Sequence, residues 1–453
     1  MKKRFISRVT AFLCLVLIIS TFIIGCSSGN NGSDSASGNS GEVQTETGSS
    51  QSEEKIELRV ATWDTAPEMM DIFETAKKQF EEKYPNVTVK VEATQYDNYM
   101  TKLQTQLAAG DPPDLIQIGE RDLNRYMMKD IVIDLTPYLS GTEYLENLVP
   151  GLEEIIVIDG KIPAIPAAPS SPAMYYNKKL FDEANLPYPK DGWTWEQLLD
   201  YAKQLTVVED GNTLQFGLML PSGVDWVEPI VMSYGGSYVS PDGTKVKGYL
   251  DSPETVAAMQ WFVDLFQKHK VAPTPAEISA MKGVDLFSTG RVAISFDGAW
   301  KLSTFKQNPD LDFGLVGVPK FEHGERANFM YASGYGITAM SKHPDEAFAF
   351  LQDLTFPDRD AAEKWLTWGT ATTTILAERS KQAEDPDWSV FLNEVQYVKK
   401  SAFYLNPYWA AAADKHLKPA IEEMILFEEA DIQALLTKVA EQIEQEIEEM
   451  ANE

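Results

Sequence analysis

The hydrophobic pattern between Ile56 and Ile118 keeps changing period, and that alternation limits the possible folds more than any other feature of the chain. Ile56, Leu58 and Val60 alternate with Glu57, Arg59 and Ala61, the two-residue period of a strand ending at Thr62-Trp63-Asp64. Ile72, Phe73, Ala76 and Phe80 then recur at helical spacing until Tyr84-Pro85-Asn86 stops them. Val87, Val89 and Val91 predict a second strand. Tyr99, Met100, Leu103 and Leu107 predict a second helix, stopped at Gly110, and Leu115 to Ile118 a third strand. An order βαβαβ implies a mostly parallel sheet covered by helices, with right-handed crossovers.

Later segments keep this style. Asp159-Gly160, between 155–158 and 161–165, predicts a hairpin. Pro163, Pro166, Pro169 and Pro172 fit neither a helix interior nor a central strand, so this run is read as a chain crossing between lobes. Thr194 with Gln197 forms a capping box ahead of Leu198, Leu199, Ala202 and Leu205, and Ser341 and Pro344 open another helix. Near the end, Leu435, Val439, Ile443 and Ile447 recur four apart on a helix whose many glutamates form a solvated face. A chain of 453 residues exceeds the roughly 250–300 at which single cores stop growing, so two lobes are expected.

Charge excludes one class of partner. With 39 Lys and Arg against 68 Asp and Glu, the formal charge of −29 would repel a polyphosphate, so nucleic acid is not a ligand. The two cysteines, Cys14 and Cys26, leave the folded part without a disulfide or thiolate metal site. Basic residues from Lys2 to Arg8 precede an apolar run, Ala11 to Ile24, that is short for a membrane span. Its ending, Ile23-Ile24-Gly25-Cys26, resembles a bacterial lipobox. That implies removal of residues 1–25 as a signal peptide and acylation of Cys26, palmitate included. Residues 26–53, rich in Ser, Gly, Asn, Thr and Gln, read as a flexible tether.

Catalytic signatures are sparse: no G-x-S-x-G elbow, H-E-x-x-H helix, Walker loop or EF-hand loop occurs. His269, His323, His343 and His416 lack metal-ligand spacing, and neither metal nor cofactor is expected. Gly334 to Ala339 fits a dinucleotide string, but Ile337 to Met340 reads as strand and Pro344 delays the helix that such a site needs. Aromatic residues are the stronger signal. Trp63, Trp193, Trp195, Trp226, Trp300, Trp368 and Trp409 all stand beside turn or polar signals, whereas Trp261 sits in a helical run. Strand ends of an α/β sheet are where ligands bind. An indole lies flat against the C–H face of a sugar, while Asp, Glu and Asn serve its hydroxyls.

Ala173-Met174-Tyr175-Tyr176-Asn177-Lys178-Lys179-Leu180-Phe181-Asp182-Glu183 resembles the signature segment of family 1 extracellular solute-binding proteins of ABC importers. Further landmarks follow in order. Ala109 to Leu115 is similar to the family's A-G-x-x-P-D turn, Pro187 to Trp195 to its P-x-T-W helix entry, and Tyr234-Gly235-Gly236 to its double-glycine turn. Thr289 to Ile294 with Asp297-Gly298-Ala299-Trp300 resembles its G-[KR]-x-A-M…G-x-W segment, and Phe313-Gly314 with Pro319, Ser333 to Gly336 and Ser341-Lys342 complete the series. The likeness runs from about Ile56 to Ala420. It departs at Gly369 to Thr374, where members often have Gly followed shortly by Pro.

The resemblance implies an α/β, two-lobed, periplasmic-binding-protein-like fold with a hinged ligand cleft. Lobe one is assigned to 54–168 plus 322–370, and lobe two to 169–321 plus 371–453. It implies a lipid-anchored monomer on the outer face of the cytoplasmic membrane that captures a sugar or oligosaccharide and delivers it to ABC permease transmembrane subunits, without catalysis. Trp63, Trp226, Trp300 and Tyr335 are the stacking candidates, and Asp64, Glu120 and Asp225 the hydroxyl partners. Gly334 and Trp368 complete the set. Asp297 is placed to cap a helix beginning near Gly298. A secreted glycoside hydrolase also uses aromatic subsites and two carboxylates, but the βαβ order and the landmark series stand against it. A protein presenting sugar to a membrane sensor would share the fold.

Overall fold

The computed structural model describes residues 55–452 apart from 282–283 and 428–429, so the signal segment, Cys26 and the tether lie outside the described residues. β1 (Ile56–Thr62), β2 (Val87–Ala93) and β3 (Leu115–Ile118) are parallel, with β1 in the middle: Leu58 is opposite Val89, and Val60 is opposite Leu115. Alternate residues of β1 enter different clusters. Leu58 and Val60 pack with Ile72, Phe73, Ala76 and Phe80 of helix Pro67–Lys83, whereas Ala61 packs with Tyr99 and Leu103 of helix Tyr96–Ala108. Helices therefore cover both faces, as a parallel sheet requires. Pro67 starts its helix at a position where the missing N–H costs nothing.

β4 (Ile165–Pro166) is an edge strand of this sheet, a place that tolerates proline. The second sheet holds β5 (Ala173–Asn177), β6 (Val207–Glu209), β7 (Asn212–Met219), β8 (Val292–Asp297) and β9 (Phe313–Val316) in the order β6-β7-β8-β5-β9. β7 runs parallel to β8, while β5 is antiparallel to β8 and β9. β10 (Gly334–Ile337) returns to the first sheet and lies antiparallel between β3 and β4. The second core combines helix Trp195–Leu205, whose Thr194/Gln197 capping box is formed, with helices Val224–Tyr234 and Pro253–Asp264 and the C-terminal pair Trp409–Leu426 and Ile432–Asn452.

Several expectations change. Ile155 and Ile156 end a short helix, Leu152–Ile156, rather than a strand. Leu152, Ile155 and Ile156 are buried at helical spacing, and only Ile158 and Lys161 pair across the Asp159-Gly160 turn. The strand expected at 337–340 is Gly334–Ile337, because Thr338 and Ala339 turn their N–H groups to Asp114 and Ile131. Gly334 is needed for packing: a Cβ there would lie 2.3 Å from the Ile165 carbonyl oxygen. Trp195 and Trp409 are fully buried core residues and Trp193 nearly so, which removes all three from any ligand surface.

The lobes are joined by chain segments lying side by side. Ser170 bridges Tyr331, and the Thr370 N–H donates to the Pro169 carbonyl at 2.7 Å. At Gly369 a Cβ would meet the Ala168 backbone at 2.6 Å, so this close approach of two crossings depends on glycine. Beyond it the chain stays with the first lobe for some residues: Thr373 bridges Leu148, and the Val149 N–H donates to the Thr372 carbonyl.

Candidate ligand-binding site

Both sheets point the carboxyl ends of their parallel strands toward the region between the lobes, the usual ligand edge of an α/β sheet. In the first lobe, β1 ends beside Trp63 and Asp64, and β3 leads through Gly119 into helix Glu120–Met128. Gly119 lies against the Trp63 ring, whose distal carbon would be 3.8 Å from an added Cβ. Trp63 is half-buried and packs edge-to-face with Tyr96 and Tyr99, with centroids 5.5 and 5.4 Å apart.

Asp64 is held by a network that the local pattern does not reveal. Gln117 Nε2 donates to its Oδ2 at 2.9 Å and the Tyr335 hydroxyl to the same oxygen at 3.3 Å. Gln117 Oε1 in turn accepts from Thr62 Oγ1 at 2.6 Å and from the Trp63 N–H at 3.0 Å. Loss of hydration on burial raises the Asp64 pKa to about 6, against the pull of these hydrogen bonds. Tyr335 is thereby corrected from a stacking surface to a positioning residue. Its ring is fully buried against Phe73 and Trp365, and only its hydroxyl reaches the site. Gly334 likewise serves the sheet rather than a ligand contact.

In the second lobe, Asp225 and Trp226 open helix Val224–Tyr234 soon after β7, and Asp297 ends β8. The expected cap at Asp297 is displaced by one residue. Gly298 is the N-cap of the short 3-10 turn Ala299–Lys301, and Asp297 Oδ1 accepts from the Gly298 N–H at 2.8 Å. Burial raises Asp297 to about 6. Gly298 leaves room for the Trp300 ring, since a Cβ would fall 2.2 Å from it. Trp226 and Trp300 stand edge-on at 83° with centroids 6.3 Å apart, and Phe296 and Phe329 hold Trp226 from behind at 5.1 and 5.6 Å.

Tyr331, on a chain crossing, is the residue that sequence reasoning missed. Its ring lies 5.4 Å from Trp300 and 5.8 Å from Trp226, and its hydroxyl donates to Asp225 Oδ2 at 2.5 Å. A lone aromatic next to Ala332-Ser333-Gly334 was the available signal, as was Gln117 amid apolar β3 residues. Glu120, buried at the start of its helix, has a pKa raised to about 7 by loss of hydration and then by the nearby Asp225 charge from the other lobe. Arg121 reaches across to Asp414 at 2.7 Å and lies over the Phe403 ring. Trp63, Asp64, Glu120, Asp225, Trp226 and Trp300 thus border the space between the lobes. Trp368 lines a cavity of about 470 Å³ together with Pro67, Ile72 and Lys364 of the first lobe and Ser303 of the second.

Two α/β lobes joined by adjacent chain crossings, with aromatic and carboxyl groups facing one another between strand ends, define a cleft-type binding protein. The chain belongs to the bacterial extracellular solute-binding protein family, whose profile matches residues 64–373. It is 24% identical over 398 residues to the maltotriose-binding protein of Pyrococcus abyssi, covering 85% of this chain and 82% of that one. It is 26% identical over 353 residues to the diacetylchitobiose binding protein of Streptomyces coelicolor, covering 71% and 79%. Among solved structures, an ABC substrate-binding protein from Listeria monocytogenes in complex with cycloalternan superposes with a TM-score of 0.75 at 24% identity, covering 88% of this chain and all of that one.

Proposed function

We propose that the protein captures a sugar or short oligosaccharide outside the cytoplasm and passes it to an ABC permease, acting as a carrier and not as a hydrolase. The observation that carries this reading is the corner made by Trp226 and Trp300, with Asp225 and Asp297 beside them in the chain and Glu120 opposite. Indole faces suit the C–H side of a pyranose, and carboxyls accept from its hydroxyls. The relatives that bind maltotriose and diacetylchitobiose support the same ligand class.

Each carboxyl has a binding task, so no covalent step is needed. A ligand touching Asp64 and Glu120 on one side and Asp225 and Trp300 on the other stabilises the closed arrangement by its better fit there. The permease then recognises that arrangement. We assign lobe one to 54–168 and 322 to about 380, since residues 372–374 bond to the first lobe, and the remainder to lobe two. The chain is a monomer held to the membrane through a lipid on Cys26.

A thermal-shift screen of malto-, cello-, xylo-, arabino- and chito-oligosaccharides, followed by calorimetry and small-angle scattering with the best ligand, tests this. Binding with a smaller radius of gyration and no cleavage product is expected. Steady release of shortened sugars, or no shift with any saccharide, overturns it.

A further inference from the structure

Among the described residues, four carboxyl groups of the cleft stand against two neighbouring cations, Arg121 beside Glu120 and Asp225 and Lys301 beside Asp297. We infer that the ligand supplies the positive charge, as a saccharide carrying a protonated amino group; this rests on the carbohydrate reading above and narrows it. Asp64 and Glu120 come from the first lobe, Asp225 and Asp297 from the second. Each of the two cations is shared with an acid outside the set, Arg121 through Nη2 with Asp414 at 2.7 Å and Lys301 with Asp285 at 2.8 Å, so the cleft keeps an excess of carboxyls. Glu120 is only 9% exposed, and its carboxylate takes a hydrogen bond from its own backbone N–H. The hydrogen bonds made by the Asp64 carboxylate all use Oδ2, which leaves Oδ1 for a donor.

Closing the lobes on a ligand would strip water from these groups, and an uncompensated buried charge is costly. A neutral sugar leaves that cost to be met by proton uptake. An ammonium group meets it directly and also favours the site's aromatic walls. Trp226 and Trp300, edge-on at 83°, with Tyr331 beside both, present π faces that attract a cation.

Proton linkage has opposite signs in the two cases. Glu120 faces Asp225, Arg121 and Asp122, with Tyr96, Tyr331 and Tyr404 around it. Asp64 faces Tyr335 and Tyr99, and Asp297 faces Lys301, Asp285 and Tyr175. A cation entering this set drives the carboxyls to ionise, so at about pH 5 to 6, where the amino sugar is itself fully protonated, binding releases protons and tightens as pH rises.

The experiment is calorimetry of the mature chain with glucosamine oligosaccharides, their N-acetylated counterparts of equal length, and cello-oligosaccharides, each in two buffers of different ionisation heat. The amine-bearing sugars should bind about tenfold or more tightly than their N-acetylated forms, with proton release and weakening by salt. Glu120→Gln and Asp225→Asn should each shrink that preference. Equal or tighter binding of the neutral counterparts, or proton uptake, overturns this inference and leaves the carbohydrate reading standing. Failure of every saccharide to bind removes both.

Discussion

The hydroxyl of Tyr331 donates to Asp225 Oδ2 at 2.5 Å, tying a crossing between the lobes to the first turn of the second-lobe helix Val224–Tyr234. This bond holds a site carboxyl in place while the Tyr331 ring supports both Trp226 and Trp300.

Tyr331→Phe keeps the ring and removes the donor. The bond exists without ligand, so its loss should lower stability by about 1.5–3 kcal/mol, the worth of a hydrogen bond to a charged group. Asp225 would also no longer be held in place, and ligand affinity should fall roughly tenfold or more. Calorimetry and a thermal melt on the same sample check both, and a loss of stability with unchanged affinity would make the bond structural only.

Trp300→Ala should weaken binding by about 1–3 kcal/mol with little effect on folding, because the indole is only half-buried. Gly298→Ala should have a comparable effect without touching the indole itself, since the added methyl would displace the Trp300 ring. Normal affinity in both variants would exclude Trp300 from the site.

Glu228 provides a test through pH. It is buried in helix Val224–Tyr234, accepts from the Ala402 N–H at 2.8 Å through Oε1, leaves Oε2 unpartnered, and burial raises its pKa from 4.5 to about 8. A carboxyl with a raised folded pKa keeps its proton longer in the native state than in the unfolded one. Its contribution is therefore complete below the unfolded value and is lost as pH climbs toward about 8, at up to about 1.4 kcal/mol per pH unit. Glu228→Gln should flatten the decline in melting temperature between about pH 5 and about pH 8. An unchanged slope would contradict the assignment.

Cys26→Ala, expressed with the whole chain, should move the protein from the membrane fraction to the soluble extracellular fraction. Retention in the membrane equal to wild type would rule out the lipid at Cys26.

Local chemistry carried much of this protein into the open. The βαβαβ order, the Thr194/Gln197 capping box, the Asp159-Gly160 turn and the position of Trp63-Asp64 at a strand end all depend on neighbours within a few residues, which is the range over which periodicity and capping act. The fate of the tryptophans was not legible in this way. Trp195 and Trp300 both stand beside turn signals, yet one is sealed between helices and the other borders the cleft, because burial depends on what arrives from elsewhere in the chain. Tyr335 followed the same rule, its ring enclosed by Phe73 and Trp365 and its hydroxyl left to Asp64. Asp225 and Tyr331 are 106 residues apart, and Asp64 and Gln117 are 53 apart. No sequence spacing encodes those meetings: only the packing of sheets, helices and crossings brings such groups within hydrogen-bond distance, and shared burial is what then shifts their chemistry.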